Sequence, residues 1–233
     1  MSLLTAWLQI DVTHPTTAVA GIEFNVDTIR NTLIVCALLI AFAAILRSQL
    51  HPGVPGPLQN ATEALFEYLR DLTESTLEGR GIALVPLAIS LFAFLLIANL
   101  LGLLPGLRSP TNDWNTTLGL ALMSFTLVQF YGIKKRGLGG YFKHLLLQPP
   151  FFPLTVIDEL AKIVTLSFRL YFNIFVGELL LALILLLPLW GSLVPGAFWM
   201  AISVFIGLVQ AFIFTVLTVS YIAVATQVDE SHG

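Results

Sequence analysis

Five stretches of the chain are apolar for long enough to span a bilayer. A crossing helix needs about 20 mostly apolar residues for ~30 Å of hydrocarbon, where no backbone polar group can go unpaired. The first stretch runs from Thr28 to Leu46, with Arg30 near enough to its outer end to snorkel. The second, Ile82 to Leu104, contains Pro86, Ser90 and Asn99, and the third, Thr116 to Ile133, stops at Lys134-Lys135-Arg136. The fourth, Pro153 to Leu187, and the fifth, Ala197 to Thr226, flank PLWGSLVPG, whose prolines and glycines predict a turn. At 1.5 Å per residue these two would measure roughly 50 Å and 45 Å, so they predict a steeply inclined helical hairpin.

Between the first two spans, over Pro57 to Glu78, the polar pattern changes. Glu63, Glu67, Arg70, Asp71, Glu74 and Glu78 fall within about 100° on a helical projection, with Leu58, Leu65, Phe66, Leu69 and Leu72 on the opposite arc. This predicts an amphipathic helix at the inner membrane surface, and a solvated helix packed on its own protein satisfies the same pattern. The acidic face argues against binding driven by anionic lipid. Arg47, Arg70, Arg80, Lys134, Lys135, Arg136 and Lys143 lie on one side, Arg30 and Arg108 on the other. The positive-inside rule then puts the N-terminus outside and the C-terminal QVDESHG inside. The expectation is an all-α integral membrane protein with a single membrane domain over 1–233 and an outer N-terminal segment, 1–27. No inverted internal repeat of the secondary-transporter kind is visible.

Composition agrees with this pattern. The 233 residues are 57% hydrophobic and 11% charged, less than half the ~25% charge of a soluble domain. A net charge of −3 supplies no basic field for nucleic acid. The single cysteine, Cys36, has no disulfide partner and no zinc spacing, and reads as a small apolar residue. The N-terminus has no basic residue ahead of a short apolar run and meets Asp11 at once, so no cleaved signal peptide is expected. His14, His51, His144 and His232 all lie outside the spans, which removes an intramembrane bis-His haem site. No metal or phosphate motif is present, and no cofactor is expected.

The chemistry lies in the fourth stretch, which carries Asp158, Glu159, Lys162, Arg169 and Glu178. Each ionisable residue at a helix centre costs ~2.5 to 3.5 kcal/mol on an insertion scale, and such residues face a bundle interior or an aqueous cavity. Lys162, Arg169 and Asn173 share a face, whereas Glu178, nine residues beyond Arg169, points roughly opposite it. An ideal helix cannot pair the two, so the expectation is that one helix fronts two separate wet regions. A structural ion pair for Arg169, and an interfacial position for Asp158, Glu159 and Lys162, are the plainer alternatives. Of the polar residues in the fifth stretch, isolated hydroxyls commonly bond their own backbone, so Gln210 stands out.

Three motifs, NLLGLLPG at 99–106, LSFRLYFNIFVGEL at 166–179 and QAFIFTVLTVSYIA at 210–223, occur in an order and spacing that resemble subunit a of F-type ATP synthases. With the hydropathy pattern, the resemblance covers essentially the whole chain. It implies that Arg169 faces the carboxylate of a rotating c ring, with Asn173 one turn away and Gln210 close by. Glu178 would match the acidic residue of the outer half-channel, Asn99 the asparagine of the second-span motif, and Asp27 a polar position near the outer entrance. Glu159 and Lys162 would correspond to polar residues of the inner half-channel. Ile163 and Phe172 stand where many members have proline and glycine, which bears on close packing against the ring. Ser203 stands where some members have histidine, which bears on the route near Glu178.

The implied partners are the c ring, peripheral-stalk b subunits, the F1 head through the complex, the lipid bilayer, and protons, with sodium as the alternative ion. The implied location is the cell membrane, a bacterial plasma membrane by preference. The chain by itself would be non-catalytic. The competing classes are a self-contained secondary transporter or ion channel, separated by copurification with a ring and ATPase head, and an assembly scaffold, which would tolerate loss of Arg169.

Overall fold

The computed structural model describes residues 16–19, 22–49, 56–77, 81–104, 107–147 and 152–226. The expectations made for the N-terminal start, Glu78, Arg80, Pro105-Gly106 and QVDESHG fall outside them. A short antiparallel ribbon pairs β1 (Thr16–Val19) with β2 (Ile22–Asn25), with Thr16 opposite Asn25. Among the described residues six α-helices follow: α1 (Val26–Gln49), α2 (Pro57–Thr76), α3 (Val85–Leu101), α4 (Trp114–Leu147), α5 (Phe152–Leu185) and α6 (Leu189–Thr226). Five are long and apolar enough to cross a membrane, and α2 is the amphipathic exception. The protein is an all-α membrane protein, with the ribbon a small addition within the outer N-terminal segment.

Two boundaries differ from expectation. PLWGSLVPG does not form a long turn, because α6 begins at Leu189 and carries Pro195 within it. The Pro188 carbonyl accepts from Gly191 N at 2.7 Å and Ser192 N at 3.0 Å, which nucleates the helix. Pro195, lacking an N–H, then removes only one backbone bond early in α6. Helix α4 also continues past Ile133 through the basic triplet, until Gly137 breaks it at φ 72°, ψ 160°, a region open essentially to glycine alone. A second helical piece completes α4 to Leu147.

The core sits where the helices meet around α6. Leu69 of α2, Leu91, Phe92 and Leu95 of α3, Ala121 of α4, Ile163, Leu166 and Leu170 of α5, and Ala211 and Phe214 of α6 form one buried cluster. Because Leu69 belongs to it, α2 packs on its own protein, burying Gln59, Thr62 and Thr73 beside that leucine. Its Arg70 donates to Glu74 at 2.8 Å, and this carboxylate one turn away raises the affinity of the guanidinium for its proton. At 34 and 38 residues, α5 and α6 measure about 51 and 57 Å, well beyond the ~30 Å hydrocarbon thickness. They must tilt or extend past the bilayer.

Candidate ion-translocation site

A cavity of about 420 Å³ opens between α3, α5 and α6. Six of the residues singled out from sequence line it: Asn99, Arg169, Asn173, Glu178, Ser203 and Gln210. Helix α5 supplies three of them along an arc that turns from the Arg169 face through Asn173 and Gly177 to Glu178. The expectation of two separate wet regions is therefore corrected here, because one cavity winds around α5 and reaches both charges. Arg169 and Glu178 still form no ion pair among the described residues.

The α3 wall is tightly built. Asn99 is 3% exposed; it donates from Nδ2 to the Gly207 carbonyl at 3.0 Å and accepts from Thr111 Oγ1 at 3.2 Å. That approach is tight at Gly207, where a Cβ would stand 3.2 Å from Asn99 Cβ. Beside it, Ser109 Oγ donates to the Ala98 carbonyl at 2.8 Å and lies 2.6 Å from Thr111 Oγ1. A Cβ on Gly102 would meet Ser109 Cβ at 2.8 Å and Glu178 Oε1 at 3.3 Å. The glycine of NLLG thus lets the 107–113 loop lie against the end of α3. That contact brings Asn112 to Glu178, where Nδ2 donates to Oε2 at 2.6 Å.

On the α6 side, Gln210 is 5% exposed and its Nε2 makes no hydrogen bond among the described residues. Trp199 Nε1 donates to the Gly177 carbonyl at 3.0 Å, tying α6 to α5 beside the cavity. Arg169 lies at the rim, exposed, with no side-chain hydrogen bond or ion pair among the described residues. Thr165, Phe172, Val176 and Leu183, all exposed, lie within about 60° of it on the helix. The alternative of a structural ion pair for Arg169 finds no partner within the described chain.

Glu159 and Lys162 lie elsewhere, in a narrow cleft of about 10 Å³ between α4, α5 and α6, room for about one water. Lys162 Nζ donates to Glu159 Oε1 at 2.5 Å and stands 5.4 Å above the Tyr221 ring, while Gln129 Nε2 donates to Glu159 Oε2 at 3.2 Å. Asp27 lies outside both spaces. Its Oδ2 faces Arg108 at 3.9 Å, and its Oδ1 accepts from Thr28 N at 2.9 Å. Nearby, the Asp113 carboxylate accepts from Asn25 at 2.5 Å and Thr28 at 2.8 Å, fastening the start of α1 to the loop.

A family model described as ATP synthase A chain matches residues 29–223. The chain is similar to ATP synthase subunit a of Desulforamulus reducens, 40% identical over 213 residues that cover 88% of this chain and 81% of the relative. It is also similar to subunit a of Mycobacterium leprae, 36% identical with 96% of each chain covered, and of Moorella thermoacetica, 39% identical over 84% of this chain and 89% of the relative.

The chain belongs to the ATP synthase A chain family. It is therefore a non-catalytic, multi-pass membrane subunit of the F-type ATP synthase, in its Fo sector. Within this A chain, sequence reasoning missed Thr111, Asn112 and Gly102. Nothing in the linear pattern distinguishes Asn112 from an ordinary loop asparagine, since its role depends on a contact 66 positions away. Gly102 had a signal in its place within NLLG, but its steric reason needs Ser109 alongside.

Proposed function

We propose that this A chain is the stationary ion-translocating subunit of the synthase, providing two half-channels to the carboxylates of a c ring and coupling ion flow to rotation. The observation that carries the reading is Arg169, a permanent cation without a partner in the described chain, exposed on an apolar face at the mouth of a polar cavity. An unpaired charge at membrane depth requires a counter-charge or water. A passing ring carboxylate meets that need while the flanking Phe172 and Val176 exclude water.

The arithmetic suits a gate. A unit charge ~4 Å from a carboxylate at an effective dielectric of 20 is worth about 4 kcal/mol, roughly a thousandfold in proton affinity. An ion enters from outside through the Glu178 cavity, neutralises a ring carboxylate and travels with the ring. It leaves toward the inside once that carboxylate meets Arg169, with Glu159 and Lys162 lining the exit. The guanidinium never carries the proton. At ~2.3 kcal/mol per elementary charge per 100 mV, several ions must cross for each ATP. The ion is a proton in this reading, with sodium the alternative on the same geometry. The N-terminus faces outward and the C-terminus the cytoplasm of a bacterial cell, where b subunits and the F1 head complete the complex.

ATP-driven proton pumping in inverted vesicles tests this, comparing wild type with Arg169→Gln at matched subunit levels and verified complex assembly. Loss of pumping in assembled mutant complexes is expected, and retained pumping overturns the assignment. Sodium transport in place of proton transport by the wild type would keep the architecture and change the ion.

A further inference from the structure

We infer that Asn112 is a positioning residue for ion transfer at Glu178, holding that carboxyl group in both of its protonation states; this rests on the reading of Glu178 as a group on the ion path. Three observations carry it. Asn112 Nδ2 donates to Glu178 Oε2 at 2.6 Å, shorter than an ordinary N–H···O bond. Asn112 Oδ1 is buried and accepts no hydrogen bond among the described residues. The loop that presents this side chain is not loose. Asn112 N donates to the Ser109 carbonyl at 3.0 Å, and Ser109 and Thr111 are themselves fastened to Ala98 and Asn99.

A carboxylate only accepts hydrogen bonds, whereas a carboxylic acid also has an O–H to donate. A lone donor would serve the first state and leave the second unpaired. A lone acceptor would do the reverse. The carboxamide carries both, and rotation about its last torsion exchanges which end faces Glu178. Proton arrival then exchanges one hydrogen bond at Oε2 for another, so that oxygen keeps a partner in both states. Ser203, the other short polar side chain on this cavity, forms no hydrogen bond with Glu178 among the described residues. Asn112 is the partner that the 107–113 loop delivers to Glu178 Oε2.

The test uses the intact synthase in inverted vesicles, with ATP-driven proton pumping normalised to assembled complex. Asn112→Leu removes both polar ends, Asn112→Asp keeps the shape but loses the N–H donor, and Asn112→Gln keeps the carboxamide. The expected result is a fall of about tenfold for the leucine and aspartate variants, with glutamine recovering at least half of the wild-type rate. Pumping within twofold of wild type in Asn112→Asp, or a glutamine variant as poor as the leucine one, overturns the inference. If Asn112→Leu fails to assemble, the aspartate and glutamine pair still decides. Glu178→Gln separates the two levels, because wild-type pumping in that variant removes Glu178 itself from the path, whereas its loss beside an unaffected Asn112→Asp removes only the role of Asn112.

Discussion

The two polar spaces beside α5 differ in the fate of their charges. In the larger, about 420 Å³, Arg169 has no partner and the buried Gln210 Nε2 no hydrogen bond among the described residues. In the smaller, about 10 Å³, Lys162 and Glu159 neutralise each other, with Gln129 and Tyr221 closing around them. One helix therefore carries both a charge that no described residue answers and a charge that is already answered. On the proposed mechanism, the first kind of site acts on a partner, and the second conducts only when its internal pair opens or exchanges.

The largest effect that this contrast predicts is at Arg169. Arg169→Gln should lower ATP-driven pumping at least a hundredfold in assembled complexes, and Arg169→Ala should raise passive proton leak; a leak assay with the ATPase head removed checks the latter. Next comes the direct comparison of the two spaces. Glu178→Gln should reduce pumping tenfold or more and Glu159→Gln only about threefold, with the Glu159→Gln, Lys162→Gln double variant pumping better than Glu159→Gln alone. That last order follows because breaking one side of a pair leaves an unanswered charge, whereas removing both does not. Equal losses at the two glutamates would erase the distinction.

Smaller effects test the walls. Gly102→Ala drives a methyl to 2.8 Å from Ser109 Cβ, so a loss of about 1 to 3 kcal/mol is expected from overpacking, readable as earlier thermal dissociation of the complex. At the low end lies Arg70→Ala on α2. The pair with Glu74 is solvent-facing, and such pairs contribute little, so assembly and pumping at neutral pH should match wild type.

The spans and the charged face of α5 were legible in the sequence because hydropathy and the 3.6-residue repeat act locally. Asn99, Arg169, Asn173, Glu178, Ser203 and Gln210 were placed on their helices in the same way. Their gathering into one space was less legible. The projection put Glu178 opposite Arg169, which is correct for the helix, but the cavity follows the helix around through the gap at Gly177. The turn expected over PLWGSLVPG failed for a related reason. Proline and glycine weaken a helix on average, but here Pro188 accepts the first-turn bonds from Gly191 N and Ser192 N, and Pro195 falls where only one backbone bond is lost. The Asn112 contact and the fastening of Asp113 to Asn25 and Thr28 join segments far apart in the chain, and no short-range pattern encodes them.

The close seating of Gly207 on Asn99, 3.0 Å from carbonyl to amide, has a mechanical side. Leu95 and Ala98, on the same helix, have no exposed surface, so this flank of the cavity has almost no slack. The Arg169 flank has apolar side chains, Phe172, Val176 and Leu183, that are exposed among the described residues. The cavity thus has one close-packed flank and one bordered by exposed side chains.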